Sequence, residues 1–131
     1  MTERGNGGPE PVKDEESQHP VAAVWRGPLR EVVRAFVRGD YGLANGVAGV
    51  EALDPKTAKQ IRKYIADYGA TLIDLPDETW DTSVAQWDGT HWQLLVDLWT
   101  AEEGRSDLVL DCLVHETDAG YRIKVHLVYV P

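Results

Sequence analysis

The chain has 131 residues, 43% of them hydrophobic, and carries 22 acidic against 13 basic side chains for a formal net charge of −9. That length supports one domain with a core drawn from ~100 ordered residues and excludes a second. A lone cysteine, Cys112, excludes an intramolecular disulfide, the start of the chain lacks the apolar core of a signal peptide, and no apolar run approaches the ~18 residues needed to cross a bilayer. The expectation is a soluble, cytoplasmic protein that does not act on membranes.

Residues 1–20 offer only Met1 and Val12 as sizeable apolar side chains, among glycines, prolines and a charged run at 13–16. They are expected to be a disordered tail, dispensable for folding, in front of one α+β domain over 21–131. Residues 21–25 read as an extended lead-in, because Gly27-Pro28 follows. From Pro28, Leu29, Val32, Val33, Phe36 and Val37 keep the stripe of a helix with one buried face, with Gly39 available to stop it. Arg30, Arg34 and Arg38 line another face, for which a solvated helix surface is the simpler reading. The glycine-rich residues 39–49 match neither G-x-G-x-x-G nor the P-loop, and read as an irregular connection that needs positive φ. Asp54 and Pro55 then mark the start of a second helix. Ala58, Ile61, Tyr64, Ile65 and Tyr68 form its stripe, and Gly69 ends it.

From residue 70 the period changes to two, which predicts strands over 70–75, 78–87, 91–100, 106–116 and 121–130. The fold class expected is two N-terminal helices packed on a curved antiparallel meander of four to five strands. That order of elements is similar to cystatin-like and nuclear-transport-factor-like architectures, a likeness that carries no function. In the last hairpin, pairing Glu116 with Tyr121 sets Asp111 opposite His126 and His115 opposite Arg122, and His91 falls across from His115. At Asp88-Gly89 a two-residue turn would place Asp81, Ser83 and Ala85 on the apolar side. A three-residue turn would place Trp80, Thr82 and Val84 there, and is preferred because it does not strand Asp81 in the core.

Asp97, Glu102, Glu103 and Asp107 put four carboxylates into twelve positions. A calcium loop needs oxygen ligands at alternate positions, and Trp99 and Ala101 occupy them here, so the run reads as an acidic hairpin with no metal and no cofactor. Asp111 with His126 could orient an imidazole, but no nucleophile follows from the pattern, and the histidines do not converge as zinc ligands. Between residues 67 and 118 thirteen Asp or Glu face a single basic residue, Arg105, whereas residues 26–63 hold eight basic and four acidic side chains. Such a dipole repels nucleic acid from the sheet and attracts a basic protein. Leu95, Trp99, Val109 and Leu113 lie between Asp97, Asp107 and Asp111, an apolar centre with an acidic surround, beside Glu102 and Glu103 in the hairpin. The expectation is a non-enzymatic acidic protein-binding module, with an immunity-type protein against a basic toxin as one concrete form. Residues 21–25 or a second copy of the chain, giving a homodimer, would also cover this face. The alternative is a small-molecule-binding or enzymatic cone with a cavity between helices and sheet, in which Asp81 and Ser83 would be the key residues.

The run Trp92-Gln-Leu-Leu-Val-Asp-Leu-Trp-Thr-Ala-Glu-Glu-Gly-Arg-Ser-Asp-Leu108, with Glu78-Thr-Trp80 before it and Gly120-Tyr121 after it, resembles a family of small uncharacterised bacterial proteins, largely actinobacterial. The resemblance covers roughly residues 29–130. It implies a domain of unknown function and transfers no catalytic or binding residue.

Overall fold

The computed structural model describes residues 8–131. Helix α1 (Ala23–Val37) and helix α2 (Pro55–Tyr68) precede most of a six-stranded antiparallel sheet, which exceeds the expected four to five strands because His19–Pro20, assigned to the tail, add an edge strand. Its strands are β1 (His19–Pro20), β2 (Leu72–Ile73), β3 (Val84–Trp87), β4 (Trp92–Thr100), β5 (Gly104–Thr117) and β6 (Gly120–Tyr129), in the order β1-β3-β4-β5-β6 with β2 also on β4. No helix among the described residues is long and apolar enough to cross a membrane.

The inner sheet face follows from period-two alternation. Leu94, Val96 and Leu98 of β4, Leu110, Cys112 and Val114 of β5, and Ile123, Val125 and Val128 of β6 are buried against the stripes of both helices. From the helices come Trp25, Leu29, Val32, Val33 and Phe36 of α1 and Ile61 and Ile65 of α2. The second helix has the expected caps: the Asp54 side chain accepts the Thr57 N–H, and Gly69 takes a left-handed φ of 84°. That N–H bond holds the Asp54 carboxyl below its ordinary pKa. In the connection between the helices Gly39, Gly46 and Gly49 all have positive φ, as expected.

Four expectations need correction. The first is the disordered tail, which is ordered over residues 8–20, whereas its part in residues 1–7 lies outside the described residues. Residues 8–20 form a strap fastened mainly through backbone. His19 and Pro20 pair with Ala85 and Val84, the Val12 carbonyl accepts the Trp92 indole N–H at 2.9 Å, and Lys13 reaches Glu116 while lying over the Trp87 ring. Low apolar content missed this segment because main-chain groups, which every sequence has, do the holding.

Second, residues 23–25 belong to α1 instead of leading into it. Burial of Trp25 extends the helical stripe back by one turn, and Pro28 lies within the helix. A proline there withdraws the N–H from the Val24 turn, on a side where Val24 is 56% exposed. Ala22 has no side-chain oxygen to cap the helix, and the Pro9 carbonyl of the strap accepts the Ala23 N–H at 2.8 Å instead.

Third, residues 78–87 are not one strand. Asp77–Asp81 form a 3-10 turn, and only Val84–Trp87 pair with β4. The loop to β4 has four residues, closed by Asp88 N–H to the His91 carbonyl, and pairs Trp87 with Trp92 and Ala85 with Leu94. This is neither turn length considered from sequence, but it shares its parity with the two-residue turn, so Ala85 and Ser83 face inward. Asp81 escapes burial because the strand has ended before it, and it is exposed.

Fourth, Asp111 pairs with Leu127 and not with His126. A bulge in the β5–β6 register, between Asp111 and Cys112, makes His126 the extra residue. The neighbouring expectations hold, with Glu116 opposite Tyr121 and His115 opposite Arg122.

Candidate functional site: the open face of the sheet

Both helices lie on the inner face, and among the described residues no further layer of helix or strand lies over the opposite face of β4, β5 and β6. Strand pairing arranges its side chains in rows. Asp107 has no cross-strand partner, and its N–H donates to the Tyr68 hydroxyl of α2 at 3.1 Å. The next row is Asp97, Val109 and Tyr129, followed by Leu95, Asp111 and Leu127, with Val84 beside Leu95. Gln93, Leu113 and Lys124 form the fourth row, and His115 with Arg122 the last. The His91 ring lies 5.0 Å from the His115 ring in that last row.

Asp97 lies toward one end, where Arg105 pairs with Trp99, and His91, His115, Arg122 and Lys124 lie toward the other. Leu95, Leu113 and Leu127, all half-buried, occupy the middle. Of the residues singled out in the sequence, Leu95, Asp97, Trp99, Asp107 and Asp111 share this surface or its margin.

Glu102 and Glu103 do not belong to it. Glu102 accepts both the backbone N–H and the hydroxyl of Thr71 at 2.8 Å, and Glu103 accepts the Tyr68 hydroxyl at 2.8 Å and that of Thr100 at 3.1 Å. These two carboxylates fasten the β4–β5 turn to the end of α2 and the start of β2. The Thr71 N–H holds the Glu102 carboxyl below its ordinary pKa. Among the described residues no group of three His, Cys, Asp or Glu side chains is placed to hold a metal ion.

Trp99 is half-buried beside Gly104, and its indole N–H is enclosed without a hydrogen-bond partner among the described residues. It buttresses the hairpin more than it projects. Asp97 lies where the edge of β4 passes from β3 to β2. There the Thr79 hydroxyl donates to the Asp97 carbonyl at 2.7 Å and the Ser83 hydroxyl accepts the Asp97 N–H at 2.9 Å, completing the ladder that neither short strand reaches. Ser83 is therefore a buried structural hydroxyl, whereas Asp81 is exposed. The volume assigned to the cone is filled here by Trp25, Leu29, Phe36 and Trp92, each fully buried.

Asp111 is the feature of this face that sequence reasoning placed but did not weigh. Although no helix covers it, it is only 4% exposed. Gln93 Nε2 donates to both of its carboxylate oxygens, at 3.2 and 3.1 Å. Burial pushes its pKa up, opposed by the Gln93 bond and by the His126 charge. On the other side of the same strand, burial and then the nearby Asp111 charge push the Cys112 thiol up.

A family model described as "Domain of unknown function (DUF7668)" matches residues 33–131. The chain belongs to this family. No curated protein and no solved structure matches it. The DUF7668 span takes in the last third of α1, α2 and every strand from β2 onward, so the open face of β4, β5 and β6 lies inside it. The strap, β1 and Trp25 lie outside the matched span.

Proposed function

We propose that this DUF7668 chain is a non-enzymatic protein-binding module and that the open face of β4, β5 and β6 is its contact surface. One observation carries the reading: both helices pack on one side of the sheet, leaving Leu95, Leu113 and Leu127 in two adjacent rows on the other side with charged groups around them. An apolar centre with charges around it is the common anatomy of a protein interface, the centre supplying affinity and the charges orientation. The charges around the centre ask for a partner that is basic opposite Asp97 and acidic opposite Arg122 and Lys124. The immunity-type form, with a basic toxin as partner, draws support from the net charge of −9.

A cytoplasmic location is part of the proposal, supported by the single cysteine, which is buried and free of any disulfide. The likeness to cystatin-like and nuclear-transport-factor-like architectures rests on two helices preceding a meander, and adds no function.

A photo-crosslinking residue at position 113, compared with one at position 62 on the outer side of α2, tests the reading in the cells that carry the protein. Cross-links to protein from position 113 and few from position 62 are expected. Equal yields, or none from position 113, would refute it.

A further inference from the structure

The strap behaves as an occupant of the domain more than as a part of its core. None of residues 8–20 is buried, and they are held mainly through main-chain groups that any extended segment possesses. The Trp92 indole N–H donates to the Val12 carbonyl, the Gln86 side-chain amide donates to the carbonyls of Asp14 and Glu15 at 3.2 and 3.3 Å, and the outer edge of β3 pairs with His19 and Pro20. Gln86, Trp87, Trp92 and Glu116, which form this seat, lie inside the matched residues 33–131, and the strap lies outside them. The seat belongs to the DUF7668 domain, and the segment that fills it here does not.

The seat selects a cation. Lys13 Nζ lies 2.6 Å from Glu116 and 5.1 Å from the centre of the Trp87 ring, and a carboxylate beside an aromatic face suits an ammonium or guanidinium group. The carboxylates of the strap have no such match. Asp14 pairs with His19 inside the strap, and among the described residues Glu10, Glu15 and Glu16 pair with no cation. Glu15 lies against Gly89, next to Asp88, which is itself 2.9 Å from His91. Residues 8–17 carry one basic and four acidic side chains, a charge of 1 − 4 = −3, on a seat that meets them with Glu116 and Asp88. The built-in occupant is mismatched in charge with the surface it covers.

We propose that this seat is a second docking site, independent of the open face, for an extended basic peptide segment of a partner protein, and that the strap is its built-in competitor. The partner segment adds a strand to the edge of β3, offers its carbonyls to Trp92 and Gln86, and sets a lysine or arginine between Glu116 and Trp87. Main-chain bonds of this kind supply affinity with little regard to sequence, and the cation supplies the choice of partner. Its covalent link to α1 keeps the strap at an effective concentration on the order of millimolar, so a partner displaces it by matching the charge of the seat better.

The test uses the full chain with a sequence-specific protease site inserted between Ser17 and Gln18, both exposed, and cut after folding. A fluorescent peptide of residues 8–17 is titrated against it by anisotropy. It is expected to bind the cut chain with a Kd of about 10–500 μM, and the uncut chain at least about tenfold more weakly. Lys13→Glu in the peptide is expected to weaken binding about tenfold. Glu10→Lys, Glu15→Lys and Glu16→Lys together are expected to tighten it about threefold or more, by a margin that shrinks in about 1 M salt. No binding to the cut chain below about 1 mM overturns the site. Equal affinity for the Lys13→Glu peptide overturns the cation preference, and a triply substituted peptide that binds no tighter overturns the basic partner. Circular dichroism of the cut chain after dialysis away from its strap is expected to show a folded protein; an unfolded one would make the strap part of the core and overturn the proposal.

Discussion

The two faces of β4 and β5 come from one alternating pattern yet are held by different physics. Leu94, Val96, Leu98, Leu110 and Val114 on the inner face are fully buried beneath two helices, whereas Leu95 and Leu113 on the outer face are half-buried by neighbours within their own sheet. Similar aliphatic side chains therefore have different uses. The inner set supplies the apolar burial that folds the domain, and the outer set keeps part of its apolar surface exposed. The difference shows that alternation locates two faces without ranking them, and that the helices decide which one is core.

Paired truncations on the two faces give the largest contrast. Leu110→Ala is expected to cost about 2–5 kcal/mol in urea unfolding, through lost transfer energy and the cavity left behind. Leu113→Ala in dilute protein should cost less than about 1 kcal/mol. Comparable losses would mean that the outer face is as much a core as the inner one, and the distinction would collapse.

Removal of residues 1–20 probes how the inner layer is closed at its Trp92 end. Trp92 packs with Trp25, Trp87 and Tyr121 at ring separations of 5.0, 4.5 and 5.9 Å, and the strap supplies the acceptor for its indole N–H. Without the strap that donor and the edge of β3 lose their partners, at a cost of about 1–3 kcal/mol. Denaturant melts that superimpose on those of the full chain would show that the strap is an ornament on a complete core.

Asp111→Asn is the smallest test and the most specific to the outer face. Its folded pKa is raised, so over the interval between the unfolded and folded values the native state binds more protons than the unfolded one. Stability contributed at this site is therefore present at low pH and lost as pH rises through the folded pKa. Asparagine keeps a partner for Gln93 without the charge. The variant should melt at higher temperature than wild type near pH 8, and the gap should close below about pH 4. A variant less stable than wild type at both pH values would show that the carboxylate is a favourable part of the fold.

Much of the architecture is legible in particular residues. Asp54, Pro55 and Gly69 bound α2 because capping depends on local chemistry, and the alternation through Leu94, Val96, Leu110 and Val114 names the inner face because side-chain direction in a strand has period two. Five of the expected site residues, among them Leu95, Asp97 and Asp111, gather on or beside one surface for the same reason. Other features were settled only by contacts between distant segments. Glu102 and Glu103 look like part of an acidic surface until Thr71 and Tyr68 arrive to use them. The strap is polar and proline-rich, and it becomes ordered because its carbonyls meet the Trp92 indole and the first turn of α1. Asp111 shifts from His126 to Leu127 through one bulge, a change that no count of residues from the turn reveals. Local propensity and periodicity are written into neighbouring positions of the chain. Which donor meets which acceptor, and which face a helix covers, depends on groups tens of residues apart, and those were decided only when the tertiary structure brought them together.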